Sequence, residues 1–196
     1  MSGHFPVKPD PEGIASAARA AQGDKGLPPV HLWNPASSGK IDMRIARDGS
    51  WHYQGSPITR PRMVRLFSTI LRRDGDHYVL VTPVEKVEIE VEDVPFVAVD
   101  LEVRGAGADQ VLCFLTNVGD RVEAGAEAPI RVAHDPETGA PAPYVRVRGN
   151  LEARIDRKSF YRMVELGEEG MHQGQSWFGL RSGGVFFPIQ PLADLA

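Results

Sequence analysis

Two arginines stand where a helix usually begins without a cation. Arg60 follows Thr59 and Arg157 follows Asp156, and both preceding residues are types that cap helix N-termini. A positive side chain at that place opposes the helix dipole. Anion binding rewards it, because unpaired N–H groups at a helix start and a guanidinium can share one phosphate. The plainer alternative is a guanidinium reaching back to an acid such as Glu85, Asp93 or Glu152. A second cationic set lies in Tyr144-Val145-Arg146-Val147-Arg148. Strand alternation puts Tyr144, Arg146 and Arg148 on one face, opposite Val145 and Val147. A ring beside two guanidiniums can stack a base and hold a phosphate. Its plain alternative is a solvated face with Arg146 paired to Glu152 across the hairpin. Trp33, Trp51 and Trp177 lie near turns and are read either as core or as stacking platforms. Glu85 and Asp93 are the carboxylates available for acid–base work, or for ordinary ion pairs at strand edges.

Other chemistries fail on spacing. His4, His31, His52, His77, His134 and His172 are scattered, and with Cys113 as the single thiol no metal-ligand spacing arises. Ser38-Gly39-Lys40-Ile41 resembles the tail of a phosphate loop, but Asn34 replaces the first glycine and Ile41 the magnesium-binding hydroxyl. Arg104-Gly105-Ala106-Gly107 lacks the rest of a dinucleotide fingerprint, and there is no Gly-x-Ser-x-Gly elbow. No cofactor and no metal are expected. The net charge of −4 argues against a broad nucleic-acid footprint. One cysteine fits a reducing compartment. No apolar run approaches membrane-spanning length and no signal-like stretch opens the chain, so the expectation is a cytoplasmic protein engaging neither nucleic acid nor membrane.

The elements that would position these residues are written twice. Residues 58–66 and 155–163 align so that Ile58 meets Ile155, Arg60 meets Arg157 and Arg65 meets Arg162. A hairpin-like run precedes each block, and Tyr78 to Val81 or Val185 to Ile189 follows it. In the first hairpin, Arg47-Asp48-Gly49 suits a three-residue loop that pairs Ile45 with Trp51 and Met43 with Tyr53. Thr59 then caps a helix carrying Met63, Val64, Phe67, Ile70 and Leu71 and ending near Arg72-Arg73-Asp74-Gly75. Strand signals follow at residues 78–81, 87–91, 96–103, 111–115 and 130–133, and residues 136–143 read as a loop. In the second unit, Tyr144 to Arg148 turns at Gly149-Asn150 into Leu151 to Ile155. Asp156 caps a helix with Phe160, Met163, Val164 and Leu166 on its apolar side, and a Gly183-Gly184 hairpin completes it. Near the start, Glu12 to Ala21 forms a short helix that Gly23 stops. The fold class is α+β: two similar lobes from internal duplication, mostly antiparallel, with one main helix each. The expected organisation is an extension over residues 1–30, an N-terminal lobe over 31–92 and a C-terminal lobe over 93–196.

Trp33-Asn34-Pro35, the Asp48-Gly49-x-Trp51-x-Tyr53-x-Gly55 hairpin, Ile58-x-Arg60, Leu80-Val81-Thr82-Pro83-x-Glu85, Asp93-x-Pro95-Phe96 and Tyr144-x-Arg146-x-Arg148 resemble the bacterial family named domain of unknown function 1285. The resemblance runs from about Trp33 to the C-terminus. It implies a duplicated α+β core with a pleckstrin-homology-like C-terminal lobe, a site for a nucleotide-like ligand where the lobes meet, and a signalling role. It supplies no catalytic residues. The combined expectation is a non-catalytic binding or sensor protein for a small anionic or nucleotide-like ligand held in a cleft between the lobes. Arg60 and Arg157 hold phosphate, Arg146 and Arg148 add charge, Tyr144 or Trp51 stacks a ring, and Glu85 lies nearby. A module that binds a protein partner and no small molecule is the alternative, and an enzyme using Glu85 or Asp93 as a base is the third reading.

Overall fold

The computed structural model describes residues 9–22 and 26–195. The chain divides into two compact units, Met1–Asp93 and Val94–Ala196.

In the first unit, Asp10 starts helix α1 (Pro11–Ala21) by accepting from the backbone N–H groups of Glu12 and Gly13, both at 3.0 Å. Strands β1 (Ser37–Ile45), β2 (Trp51–Tyr53) and β3 (Ser56–Pro57) follow, then helix α2 (Pro61–Thr69) and strands β4 (Leu71–Asp74), β5 (His77–Val81) and β6 (Lys86–Val91). They form a six-stranded sheet in the order β3-β2-β1-β6-β5-β4. The hairpin register pairs Ile45 with Trp51 and Met43 with Tyr53, as the three-residue loop requires, and Gly49 supplies its left-handed residue at φ 84°. Burial follows the alternation: Ile41, Met43 and Ile45 of β1 point into the core with Trp51, Leu80 and Val87. Helix α2 covers that core with Met63, Leu66 and Phe67, while α1 packs on α2 and buries Ile14, Ala15 and Ala18. The pair β1–β6 is parallel and the other pairs of this sheet are antiparallel.

The second unit contains β7 (Phe96–Arg104), β8 (Val111–Thr116), β9 (Arg121–Glu123), β10 (Ile130–His134), β11 (Pro141–Arg148) and β12 (Leu151–Ile155). Helix α3 (Arg157–Glu165) and strands β13 (Glu168–His172), β14 (Gln175–Ser182) and β15 (Val185–Pro191) complete it. One sheet runs β10-β11-β12-β7-β8-β9 and a smaller one runs β13-β14-β15. Again one pair, β12–β7, is parallel. Ser182 joins the two sheets, accepting from Leu112 N–H at 2.8 Å and donating to the Ala124 carbonyl at 2.7 Å.

Both units therefore run hairpin, nine-residue helix, three-stranded antiparallel meander, and the repeat fits two domains. They differ in pairing. In the first unit the meander joins its hairpin through β6, and in the second it forms a separate sheet while β12 joins β7.

Several expectations need correction. The α2 N-cap is Arg60, not Thr59: the residue before a proline is pushed out of the helical region, and Arg60 sits at φ −88°, ψ 103°. Pro61 then opens the helix where Arg157 opens α3, so the aligned arginines differ by one helical position. Helix α2 stops at Thr69, and Leu71 to Asp74 form a strand paired with β5, which long-range pairing decides over helical periodicity. Val164 is 38% exposed, not on the buried side of α3. Strand β11 begins at Pro141, inside the expected loop. Gln22 is the residue after α1, while Gly23 lies outside the described residues, as does His4.

Candidate functional site

Helices α1 and α2 enclose a groove of about 580 Å³ lined by four arginines, Arg19, Arg60, Arg62 and Arg65, over an apolar floor of Met63 and Leu66. The spacing explains the arrangement. Arg62 and Arg65 lie three residues apart and project from the same side of α2, while Met63, Leu66 and Phe67 turn inward. Arg19 comes from the last turn of α1, where a cation also suits the helix dipole. Arg60 donates from Nη2 to Glu12 Oε1 at 2.7 Å in an exposed pair, with side chains 65% and 62% accessible. Such a pair is worth about 0–1 kcal/mol. Among the described residues, Arg19, Arg62 and Arg65 have no acidic partner. Three guanidiniums without an acidic partner among the described residues, on one groove of a chain with net charge −4, concentrate positive potential against the overall balance.

A second cavity of about 320 Å³ shares Arg60 and Met63 with this groove and is bounded by Pro11, Tyr53, Pro57 and Ile58. The Tyr53 ring is placed by β2 pairing, opposite Met43 on one side and Ser56 on the other.

The residues singled out by sequence are placed as follows. Arg60 lines the groove and the second cavity. Trp51 does not line either: it is 1% exposed and stacks on Phe67 with ring centroids 6.0 Å apart, so its faces serve the core. In the second unit, Arg157 is exposed at the first position of α3. Tyr144 is buried beneath Arg131, whose Cζ lies 4.0 Å from the ring centroid. Arg131 also takes Glu152 through two bonds of 2.7 Å, the acid expected to pair with Arg146, which stays exposed. A register shift between Arg146 and Arg148 breaks the expected common face. Arg148 pairs with Asp120 and lies over Phe96 at 4.9 Å, and burial pushes its pKa down.

Glu85 is half-buried in the turn after β5, its N–H donating to Thr82 Oγ1 at 3.2 Å. Desolvation, and then repulsion from Asp10, holds its carboxyl above the usual value of 4.5. A raised carboxyl favours the native state while protonated, and that benefit is lost as pH rises through the folded pKa. Glu85→Gln is therefore expected to melt above the parent protein at pH 7, with the gap closing towards about pH 4. A parent protein that melts at or above the variant at pH 7 would remove this account.

The sequence missed Arg19, Arg62, Arg65 and Tyr53 as site residues. The three-residue spacing of Arg62 and Arg65 was visible; the approach of Arg19 depends on how α1 packs. Among the described residues, no three His, Cys, Asp or Glu side chains group as a metal site, and no helix is long and apolar enough to cross a membrane.

Comparison with known proteins gives consistent matches. Residues 28–94 match the N-terminal domain of unknown function DUF1285, and residues 95–189 match the C-terminal domain of the protein of unknown function DUF1285. The chain is 61% identical to a DUF1285 family protein from Silicibacter pomeroyi DSS-3 of known crystal structure, with a TM-score of 0.84 over 93% of this chain and 97% of that one. It is 28% identical to a DUF1285 family protein from Shewanella baltica OS155, with a TM-score of 0.51 over 64% of this chain and 91% of that one. No curated protein matches the chain. Helix α1 precedes the matched N-terminal domain, so Arg19 lies ahead of it and Arg60, Arg62 and Arg65 lie within it.

Proposed function

The chain belongs to the DUF1285 family, whose description gives no activity, and we propose from its own surface that it is a non-catalytic binding or sensor protein for a small anionic ligand. The observation that carries this reading is the groove between α1 and α2, where Arg19, Arg62 and Arg65 converge and, among the described residues, have no acidic partner. Its volume of about 580 Å³ falls in the range of small-molecule sites. Guanidiniums present paired donors that match phosphate and carboxylate geometry. A nucleotide-like ligand and a signalling role extend the same proposal, as does a cytoplasmic location, which rests on the single cysteine. A pleckstrin-homology-like reading of the second unit belongs to it too, supported by two largely antiparallel sheets around one helix.

Calorimetric titration with inorganic phosphate and diphosphate tests the site. The expected result is saturable binding that weakens with salt. The double variant Arg62→Ala/Arg65→Ala should bind at least about tenfold more weakly, since charge-assisted bonds contribute roughly 1.5–3 kcal/mol each and exposure reduces this. Both side chains are exposed, so the melting temperature should stay close to that of the parent. Equal affinity in the double variant would overturn the assignment, and no binding of any anion would favour the protein-interaction reading.

A further inference from the structure

The second cavity constrains the rest of the ligand. Resting on the anion reading above, we infer that the ligand of the arginine groove carries an uncharged apolar or aromatic body, and that this body lies against Tyr53. The walls around Tyr53 are mainly apolar, with Pro11, Pro57, Ile58 and Met63, and the uncharged hydroxyls of Ser56 and Thr59 complete them. The charged groups at the rim, Glu12 and Arg60, neutralise each other at 2.7 Å. The cavity therefore has no net charge to offer an anion, and the Glu12 carboxylate opposes one there. Arg19, Arg62 and Arg65, without acidic partners among the described residues, lie on the other side of Arg60 and Met63. This polarity orients the ligand: its anionic head sits at Arg62, Arg65 and Arg19, and its uncharged body passes Arg60 towards Tyr53.

Size agrees. The cavity of about 320 Å³ is roughly twice the 150 Å³ void that holds a benzene ring, which leaves room for a body of one or two rings. The β2–β3 register at Tyr53 and Ser56 fixes the backbone that carries the ring, so the wall exists before the ligand arrives.

Phenyl phosphate and inorganic phosphate, titrated separately at about pH 8 where both are dianions, separate head from body. Phenyl phosphate is expected to bind about tenfold more tightly, a gain typical of one ring stacked on an aromatic side chain. Tyr53→Ala should reduce the ratio of the two affinities to about one while leaving inorganic phosphate unchanged. Ile58→Gln, at another lining residue of the same cavity, should do the same if Tyr53→Ala fails to fold. Equal binding of both probes by the parent protein would overturn the inference and leave the anion site standing. Binding of neither would remove both. A preference for phenyl phosphate that survives both substitutions would also overturn it, by placing the body elsewhere.

Discussion

Trp51→Ala is expected to destabilise the protein by about 3–5 kcal/mol. The indole is 1% exposed, stacks on Phe67 at 6.0 Å between centroids, and lies opposite Ile45 in the hairpin register. Truncation leaves a void bounded by β1 and α2, which the packed sheet cannot close. A loss of this size is a large share of the roughly 5–15 kcal/mol that holds a typical domain folded. Trp51→Phe should cost much less. The indole Nε1 is buried without a hydrogen-bond partner, so phenylalanine removes an unsatisfied donor along with part of the volume. Urea unfolding followed by circular dichroism measures both. A loss below about 1 kcal/mol for Trp51→Ala would show that the ring is not part of the core. The Trp51→Phe variant should retain phosphate binding, since the indole lines neither cavity.

Ser182→Ala carries the second large effect, an expected loss of about 2–4 kcal/mol. The hydroxyl is fully buried, accepts from Leu112 N–H at 2.8 Å and donates to Ala124 C=O at 2.7 Å. Alanine would leave a donor and an acceptor without partners, each costing roughly 1–3 kcal/mol when buried. These bonds tie the end of β14 to β8 and to the residue after β9, beside a third link in which Gly183 N–H donates to the Gln110 carbonyl at 2.9 Å. Hydrogen exchange should therefore accelerate first at the Leu112 amide and along the β14–β15 turn. A variant as stable as the parent, with an unchanged Leu112 amide, would show that water replaces the hydroxyl at no cost.

Local chemistry was legible where one short stretch of chain decides it. The three-residue loop of the first hairpin followed from apolar alternation around Asp48 and Gly49, because a shorter turn would have put Trp51 on the polar face. Asp156 was read as a cap and accepts from Ser159 N–H at 2.8 Å. The duplicated order of hairpin, helix and a following apolar strand was visible for the same reason, but the full three-stranded meanders were not, since Leu71–Asp74 was read as the end of a helix and Glu168–His172 was not read as a strand. The slip at Thr59 and Arg60 was a local error: the proline that follows determines which residue is last outside the helix.

Partner choice between distant segments was not legible. Arg146 stood opposite Glu152 in register, yet Arg131 from the neighbouring strand takes that carboxylate. Leu71 to Asp74 continue a helical period, but pairing with His77 to Leu80 outweighs one more helical turn. The groove itself joins Arg19 to Arg62 and Arg65 only because Ile14, Ala15 and Ala18 bury α1 on α2. By itself the sequence determined the α+β class, the repeat, the register of the first hairpin and the family resemblance, since propensity, alternation and capping act over a few residues. The tertiary structure alone decided which arginines share a groove, which acids neutralise the others and that Trp51 belongs to the core, because burial and charge pairing depend on distances between segments far apart in the chain.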